Sequence, residues 1–455
     1  MQEIAESEDL FPPPSDSMAL VRKLLDDGHV PPLRRFKGQF YAYDSDRGCY
    51  EDLDHEGGSG LLRLKINGKS YEHVKKSGVV EIREILPTTS MVTNITESLK
   101  ALVAVEVDMP CWTGLNPIGA TDPDPRDLIV LKNGILNRRT RRLTDHDERL
   151  FTTTGLPFEY DEDATCPDWE QFLKSIWGDD PDSVKCLQEI FGYVLSGRKD
   201  LQKAFLIHGL PRSGKGTIAR VLQALVGERN HVATTMSQLA TDFGCQPLIG
   251  KALTVIGDAR VTRSKESITE RILSISGDDV QTINRKNRDH WTGRLGVRFL
   301  ILSNELPDFR DKSGAITTRF ITLRTSDSHL GREDLTLEKR LAGELSGIFN
   351  WALDGMDVAR FTEPASMADD YEIMLHAASP LAMFRDERCE TDRDYEILTD
   401  DLWTAYLGWC VSNHCKSMIR QHFGRALSSL GVVRDRESTG QRRRIYKGIR
   451  LAVSN

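Results

Sequence analysis

The stretch HGLPRSGKGT, residues 208–217, contains the side chains with the clearest chemical use in this chain. It reads G-x-x-x-x-G-K-G-T, with Gly216 between Lys215 and Thr217, and this glycine-rich pattern is typical of a loop that surrounds the phosphates of a nucleoside triphosphate with backbone N–H groups. We expect Lys215 to reach the β- and γ-phosphates and the Thr217 hydroxyl to bind Mg²⁺, so ATP and Mg²⁺ are the predicted cofactors. The residues assigned to nucleotide binding are Gly209, Leu210, Pro211, Arg212, Ser213, Gly214, Lys215, Gly216 and Thr217.

The segments on both sides of this loop have the pattern that the motif requires. AFLIHG, residues 204–209, is a short apolar run typical of a buried strand. After the loop, apolar residues recur at helical spacing from Ile218 to Leu225. A chance glycine turn is the alternative, but the order strand, loop, helix favours a nucleotide site.

Three later residues could complete such a site. The apolar run ALTVIGDAR reaches Asp258, which suits a carboxylate that holds Mg²⁺ through water. VRFLILSN ends in Asn304, whose amide could orient the attacking water, and Arg319 precedes a further apolar run as a candidate arginine finger. The predicted catalytic residues are therefore Lys215, Asp258, Asn304 and Arg319, with Thr217 and Asp258 as the metal ligands.

Between the second and third of these runs lies a basic segment, QTINRKNRDHWTGRL. It mixes cations with aromatic side chains, which suits contacts to a phosphate backbone and stacked bases. A solvated basic hairpin is the plainer interpretation. The residues assigned to DNA here are Arg285, Lys286, Arg288, His290 and Trp291.

Length and composition limit the remaining choices. The chain has 455 residues and a net charge of −8, which favours several globular domains and excludes a uniformly basic nucleic-acid coat. It lacks an apolar run long enough to span a membrane, and MQEIAESEDL is not a signal peptide, so we expect a cytoplasmic protein. Cys410, His414, Cys415 and His422 could form a zinc site, but an amphipathic helix with buried thiols is the favoured interpretation.

The pattern of elements predicts an α/β fold with a parallel sheet covered by helices on both faces. The tail reads as two helices followed by two strands around an S-T-G turn, which resembles a winged helix. Its arginines, Arg442, Arg443 and Arg444 among them, are assigned to DNA, against the alternative of a solvated, charged sheet edge. The predicted divisions are a flexible lead-in (1–20), an N-terminal mixed α+β accessory region (21–130), a helical collar-like region (131–200), the ATPase core (201–360), a linker (361–395) and the winged-helix-like domain (396–455).

Several ordered runs resemble the phage and plasmid primase-helicase family, a group of superfamily 3 helicases related to the poxvirus primase-helicase. These runs include LQEIFGYVLSG, GLPRSGKGTIARVLQALVG, ILSISGDDVQTINRKNRDHWTGRL and RFLILSNELPDFRDKSGAITTRFI, and together they span roughly residues 130–360. The resemblance implies an AAA+-like P-loop core that assembles as a ring, usually hexameric, with ATP between subunits and the basic hairpin in the channel. It implies single-stranded or forked DNA as partner, with a separate primase or other replication proteins as further partners, in a bacterial host.

Two features depart from the family pattern. The residue after Asp258 is Ala259, where family members often carry a second acid, so the catalytic base is left open. Residues 1–130 are too short for a primase domain, and we find no D-x-D-type metal pair on a strand there, which predicts a helicase without a primase. We therefore predict an ATP-dependent replicative DNA helicase. The alternatives are an ATP-regulated origin-binding initiator and a P-loop nucleotide kinase.

Overall fold

A computed structural model describes residues 10–53, 57–116, 119–178, 180–257, 265–307, 309, 318–332, 334–378, 380–413, 417–436 and 443–452. The chain divides into two compact units, Met1–Glu162 and Asp163–Asn455. No described helix has both the length and the hydropathy needed to cross a membrane.

The first unit combines helices with small antiparallel sheets. Its elements are α1 (Ser17–Asp26), β1 (Leu33–Phe36), β2 (Gln39–Asp44), β3 (Cys49–Asp52), α2 (Gly57–Ile66), β4 (Ser70–Val74), β5 (Val80–Glu84), α3 (Thr89–Leu102), β6 (Cys111–Trp112), β7 (Leu128–Leu131), β8 (Gly134–Asn137), β9 (Arg142–Thr144) and β10 (Leu150–Phe151). Its sheets have the orders β1-β2-β3, β4-β5, β10-β6 and β7-β8-β9. Helices α1 and α3 pack around Leu20, Leu24 and Ile95, which are fully buried.

Two predicted boundaries in this unit differ from the structure. A division at residue 130 would cut strand β7, which pairs with β8, so the strands up to Phe151 belong to the first unit and not to a helical collar. Phe11, inside the predicted flexible lead-in, is 4% exposed and its N–H donates to the Ser70 carbonyl. An apolar side chain that can be buried against a strand gives residues 10–20 a fixed position, and the rest of the predicted lead-in lies outside the described residues.

The second unit alternates strands and helices, and its strands form the main sheet and smaller hairpins. Its elements are α4 (Pro167–Trp177), α5 (Pro181–Leu195), β11 (Ala204–Gly209), α6 (Lys215–Val226), β12 (His231–Thr234), α7 (Met236–Leu239), β13 (Leu253–Ile256), α8 (Lys265–Ser276), β14 (Val280–Arg285), β15 (Arg288–Arg294), β16 (Arg298–Ser303), β17 (Phe320–Thr325), α9 (Leu337–Gly343), α10 (Leu345–Leu353), α11 (Ala365–Ala378), α12 (Pro380–Arg388), β18 (Cys389–Glu390), β19 (Glu396–Leu398), α13 (Thr399–Ser412), α14 (Arg420–Ser429), β20 (Val433–Arg436), β21 (Arg444–Lys447) and β22 (Arg450–Leu451).

A five-stranded parallel sheet with the order β12-β13-β16-β11-β17 is the centre of this unit. Helices cover both faces, since α5 and α6 pack on one side and α8 and α11 pack on the other. The central strands are continuously apolar, as expected for strands buried on both faces. The predicted α/β architecture with a parallel sheet is therefore confirmed.

Residues 380–452, which we call the C-terminal module, have an apolar core of their own. Leu381 and Phe384 of α12 are buried in it together with Leu402, Tyr406 and Phe423. The segment predicted as a linker, 361–395, therefore contains α11 and α12, and the module begins before residue 396. The reason is that both helices bury apolar side chains, which a linker would leave exposed.

Candidate functional site

The glycine loop (residues 209–217) lies at the carboxyl edge of the parallel sheet and leads directly into α6. Gly209 has a φ of 140°, and a Cβ atom there would lie 2.0 Å from the Thr325 carbonyl oxygen. Gly214 has a φ of 88°, and its Cβ would lie 2.7 Å from Ile176 of α4. Both positions therefore require glycine, for backbone conformation and for close approach. The backbone N–H groups at the start of α6 are a ready anion-binding element.

Lys215 is 8% exposed, and the loop itself supplies its hydrogen-bond acceptors. Its Nζ donates to the carbonyl oxygens of Gly209 (2.8 Å) and Leu210 (2.6 Å) and to Ser213 Oγ (3.2 Å). Burial lowers the pKa of Lys215 below its ordinary value. A phosphate oxygen carries more negative charge than a carbonyl oxygen, so an entering phosphate would be a stronger partner for this ammonium group.

Thr217, the predicted ligand of Mg²⁺, follows two residues later on α6. Arg220 Nη2 donates to its hydroxyl at 3.3 Å, and Arg220 Nε lies 3.3 Å from Glu338 Oε1. A hydroxyl at the start of this helix fits a hard cation such as Mg²⁺. Because Arg220 is itself a cation, it would have to turn away from the hydroxyl when the metal binds. The other predicted ligand, Asp258, lies outside the described residues.

The order of the strands brings Asn304 to the glycine loop. Strand β16 lies directly beside β11, and Ser303 pairs with His208. Asn304 is the next residue and is exposed, so it lies at the same sheet edge as Gly209. Strand β13, whose sequence leads to Asp258, is the next neighbour of β16. This is the edge at which parallel α/β sheets bind their ligands.

Arg319 lies at the opposite edge of the same sheet. It precedes β17, whose first residue Phe320 pairs with Ala204, at the amino end of β11. The six-residue strand separates it from the glycine loop by about 17 Å, at a rise of about 3.3 Å per residue. Arg319 is half-buried, and its Nη1 donates to Gln202 Oε1. Arg319 is therefore too far away to contact a ligand in the loop of its own chain.

The basic segment forms the predicted hairpin from β14 and β15, with a turn at Lys286–Asn287. Lys286, Arg288 and His290 are exposed, and the Lys286 N–H donates to Gln246 Oε1 at 3.1 Å. Arg285 is half-buried, and its Nε donates to the Asp289 carbonyl at 2.8 Å. Cations at the tip of a two-stranded hairpin can meet a phosphate backbone.

Trp291 differs from its neighbours in the hairpin. It pairs with the buried Ile283 and packs against the apolar core beside the sheet. Its ring also lies over Gly293, where a Cβ would come within 2.8 Å of it. Since successive strand residues point to opposite faces, Trp291 and His290 are on different sides of the hairpin. Packing of the hairpin therefore accounts for Trp291 without any role in base stacking.

The arginines of the C-terminal module surround a cavity of about 950 Å³ between α14 and the strands β20 and β21. The charged residues that line it are Asp400, Arg420, Arg425, Arg434, Arg443 and Arg444. Two of the three predicted arginines, Arg443 and Arg444, thus lie at this cavity, and Arg442 lies outside the described residues. An excess of guanidinium groups around a concave surface suits anionic groups such as phosphates.

Sequence reasoning missed several residues that hold the glycine loop. Thr325 Oγ1 lies 2.7 Å from Ser213 Oγ and donates to the His208 carbonyl at 3.1 Å. Ser328 Oγ donates to the Pro211 carbonyl at 2.8 Å, and the His329 N–H donates to the Arg212 carbonyl at 2.9 Å. All of these contacts join the loop to residues more than one hundred positions later in the chain. The sequence carries no local signal for them.

Comparisons with known proteins give two family matches and a structure of similar fold. Residues 88–178 match a family described as D5 N terminal like, and residues 207–319 match DUF5906, a family of unknown function. The A form apo structure of the NrS-1 C-terminal region (305–718) is similar with a TM-score of 0.51 at 12% identity, covering 96% of this chain and 100% of that one. A second A form apo structure of that region has a TM-score of 0.46 at 14% identity, covering 86% and 98%.

At this identity, the first structural match shows a shared fold. The D5 N-terminal-like match includes helices α3 and α4, and the DUF5906 match includes the glycine loop, Asn304 and Arg319. The D5 N-terminal-like match agrees with the resemblance of this chain to the phage and plasmid primase-helicase family.

Proposed function

We propose that this chain is an ATP-driven DNA helicase of the superfamily 3, AAA+-like type, acting in replication as a ring. The observation that carries the proposal is the glycine loop at the carboxyl edge of the parallel sheet, with Lys215 buried in it and the strand of Asn304 beside it. Sheet, loop and helix N-terminus together support the assignment of a P-loop ATPase core. The C-terminal module, with its paired helices followed by an antiparallel hairpin, takes the part of a winged helix.

The residues of the site have separate tasks in ATP hydrolysis. Lys215 would leave its carbonyl acceptors and bind the β- and γ-phosphates, where its charge opposes the charge that develops on the phosphoryl group. The Asn304 amide would orient the water that attacks in line with the leaving oxygen. Mg²⁺, held by Thr217 and Asp258, would supply further charge neutralisation at the phosphates. The base that activates the water is left unassigned.

If Arg319 is the arginine finger, its position supports assembly into a ring. A finger at the opposite sheet edge cannot serve its own loop, so its charge would be used by the loop of a neighbouring subunit. Repetition of such a head-to-tail contact closes into a ring when the rotation per subunit allows it. We propose the hexamer that the family resemblance implies.

DNA would be held in two places. The hairpin cations Lys286 and Arg288 would grip a single strand in the channel, and the arginines around the cavity of the C-terminal module would bind the phosphates of a fork or an origin duplex. The acidic chain as a whole repels DNA, so binding at these basic surfaces should be local and strongly dependent on salt.

The first test is ATP hydrolysis with and without single-stranded DNA. Wild type should hydrolyse ATP and be stimulated by DNA, whereas Lys215→Ala should reduce turnover to background because the loop loses the cation assigned to the β- and γ-phosphates. Lys203→Ala is the matched control, because Lys203 flanks the same strand at its other end and donates to the Thr318 carbonyl. Near-normal turnover in Lys215→Ala would contradict the assignment.

A second experiment separates the rival functions. A helicase displaces a strand from a forked duplex, whereas an initiator that uses ATP only for assembly binds the fork without displacing it. A nucleotide kinase would instead transfer the γ-phosphate to a nucleoside monophosphate and ignore DNA. Electron microscopy with an ATP analogue should show rings, and monomers under conditions of full DNA stimulation would contradict the ring.

A further inference from the structure

A buried ionic cluster lies one residue from the glycine loop, on the face of the sheet that α11 covers. Asp370 of α11 is 0% exposed, and it accepts hydrogen bonds from His208 Nε2 (2.7 Å) and Arg324 Nε (3.1 Å). His208 and Arg324 are paired neighbours on β11 and β17. None of the three is required by the glycine-loop motif.

One side of the cluster connects to the lysine of the loop through hydrogen bonds. The carbonyl of His208 accepts from Thr325 Oγ1 (3.1 Å), and Thr325 Oγ1 lies 2.7 Å from Ser213 Oγ. Ser213 Oγ in turn accepts from Lys215 Nζ at 3.2 Å. A displacement of His208 would therefore reach Lys215 through two hydroxyl groups.

The other side of the cluster connects to the C-terminal module. Asp370 lies in the first half of α11, and α12 begins two residues after α11 ends. Leu381 and Phe384 of α12 are 0% and 1% exposed in the core of the module. Because helices are stiff, a rotation of the module would be carried along α12 to α11 and hence to Asp370.

Fold stability alone is a weak reason for this cluster. A buried ion pair often contributes less than apolar side chains of similar volume would, since both charges lose their hydration. What a buried carboxylate with two directed donors does provide is a defined position for the groups that it holds. Here those groups lie near the carboxyl ends of β11 and β17. Strand β11 leads into the glycine loop, and β17 leads into the residues that contact this loop.

We propose that Asp370 is a positioning residue that couples the C-terminal module to the glycine loop, so that DNA bound at the module changes the rate of ATP hydrolysis. This inference depends on the proposed function, because it assigns a regulator to that ATP site. Asp370 touches neither ATP nor DNA, and it acts through His208 and Arg324. The C-terminal module and the ATP site would both act on α11, which carries Asp370. Two sites that act on one structural element in this way are coupled.

The test measures ATP hydrolysis by the full chain with a forked duplex, and DNA affinity in parallel. Asp370→Asn keeps the shape of the side chain and removes the charge, and it should lower the ratio of DNA-stimulated to basal turnover at least fivefold and raise the KM for ATP while fork affinity is unchanged. Tyr371→Phe is the matched control. Its hydroxyl donates to the Phe320 carbonyl at the far edge of the sheet (2.6 Å), so this variant should keep the wild-type ratio.

The possible outcomes distinguish failure of the proposed coupling from failure of the proposed helicase function. Wild-type stimulation that persists in folded Asp370→Asn overturns the coupling and leaves the helicase proposal intact. Absence of DNA stimulation in wild type overturns both. If Asp370→Asn fails to fold, Arg324→Gln takes its place, since this side chain is 36% exposed, its removal opens no cavity in the core, and Asp370 keeps its hydrogen bond from His208. Arg324→Gln should also reduce the ratio, and a wild-type ratio there would overturn the coupling.

Discussion

Arg319 gives the sharpest prediction, because the structure places it where it cannot act within its own chain. It lies at the amino edge of the sheet, and the glycine loop with Lys215 lies at the carboxyl edge, about 17 Å away along the strand. Removal of an arginine finger costs roughly 10³–10⁵-fold in rate. Arg319→Ala should therefore bind ATP and hydrolyse it very slowly, and Lys215→Ala should be inactive for a separate reason.

Mixing the two inactive variants should restore part of the activity. At each subunit interface the loop comes from one chain and the finger from its neighbour. In a random equal mixture about one interface in four combines an intact Lys215 with an intact Arg319, since such a contact is head-to-tail. Phosphate release should then reach about one quarter of the wild-type rate, which is hundreds of times that of either variant alone.

The assay needs proof that mixed rings form. The two variants would carry different affinity tags, and tandem purification after subunit exchange would isolate rings that contain both. Lys203→Ala mixed with Lys215→Ala is the control: Lys203 is a cation at the same sheet edge as Arg319, and its own chain should be fully active, so this mixture reports simple dilution. Mixed rings of the two inactive variants that stay inactive would refute the shared site, as would near-normal turnover by Arg319→Ala alone.

Three further perturbations test other parts of the molecule. Replacing Lys286 and Arg288 together by alanine should spare basal ATP hydrolysis and abolish DNA stimulation and unwinding. Arg294→Ala is the control, because Arg294 lies at the base of the same hairpin, paired with Asp278 at 3.5 Å, and this variant should keep DNA stimulation and unwinding. Normal unwinding by the double variant would show that the hairpin does not grip the DNA. Arg434→Ala should weaken fork binding and reduce the slope of log affinity against log salt by about one, measured by anisotropy, and an unchanged slope would favour a merely solvated edge. Burial raises the pKa of Asp370, but hydrogen bonds from His208 and Arg324 outweigh burial and hold this pKa below the ordinary 3.8. The ionised carboxylate therefore contributes to stability above the unfolded pKa, and this contribution is lost as the pH falls through the lower folded pKa. Asp370→Asn should therefore lower the free energy of unfolding by about 3 kcal/mol at pH 7. The gap from wild type should narrow in denaturant titrations as the pH falls below 3.8, and a gap that stays undiminished at pH 3 would contradict the charge-based account.

The elements that depend on neighbouring residues could be predicted from the sequence. In residues 128–137, LIVLKNGILN, an N-G dipeptide separates two apolar runs, which is typical of a hairpin, and the structure contains this hairpin as β7 and β8. The strand, glycine loop and helix around Lys215 could also be predicted, because the spacing of the glycines and the helical periodicity are local patterns within about twenty residues. The parallel sheet followed from the alternation of strands and helices.

The sequence predicted less well where burial decides the outcome. Trp291 was assigned to DNA because of its basic neighbours, yet its position on the inward side of β15 packs it against the core. The segment 361–395 was predicted as a linker, yet α11 and α12 bury Met374, Leu381 and Phe384. In both cases the deciding factor is which apolar surface lies opposite, and that surface belongs to distant parts of the chain.

The sequence by itself determined that this chain has a glycine loop between a buried strand and a helix, and a basic hairpin between two later strands. Only the tertiary structure decided that Asn304 lies beside the loop while Arg319 lies at the opposite edge, because strand order in a sheet is a non-local property. It also decided that Asp370 meets His208 across 162 residues of sequence. A carboxylate can be buried there only because the fold brings two hydrogen-bond donors to it. The spacing of residues along the chain does not indicate which donors these are.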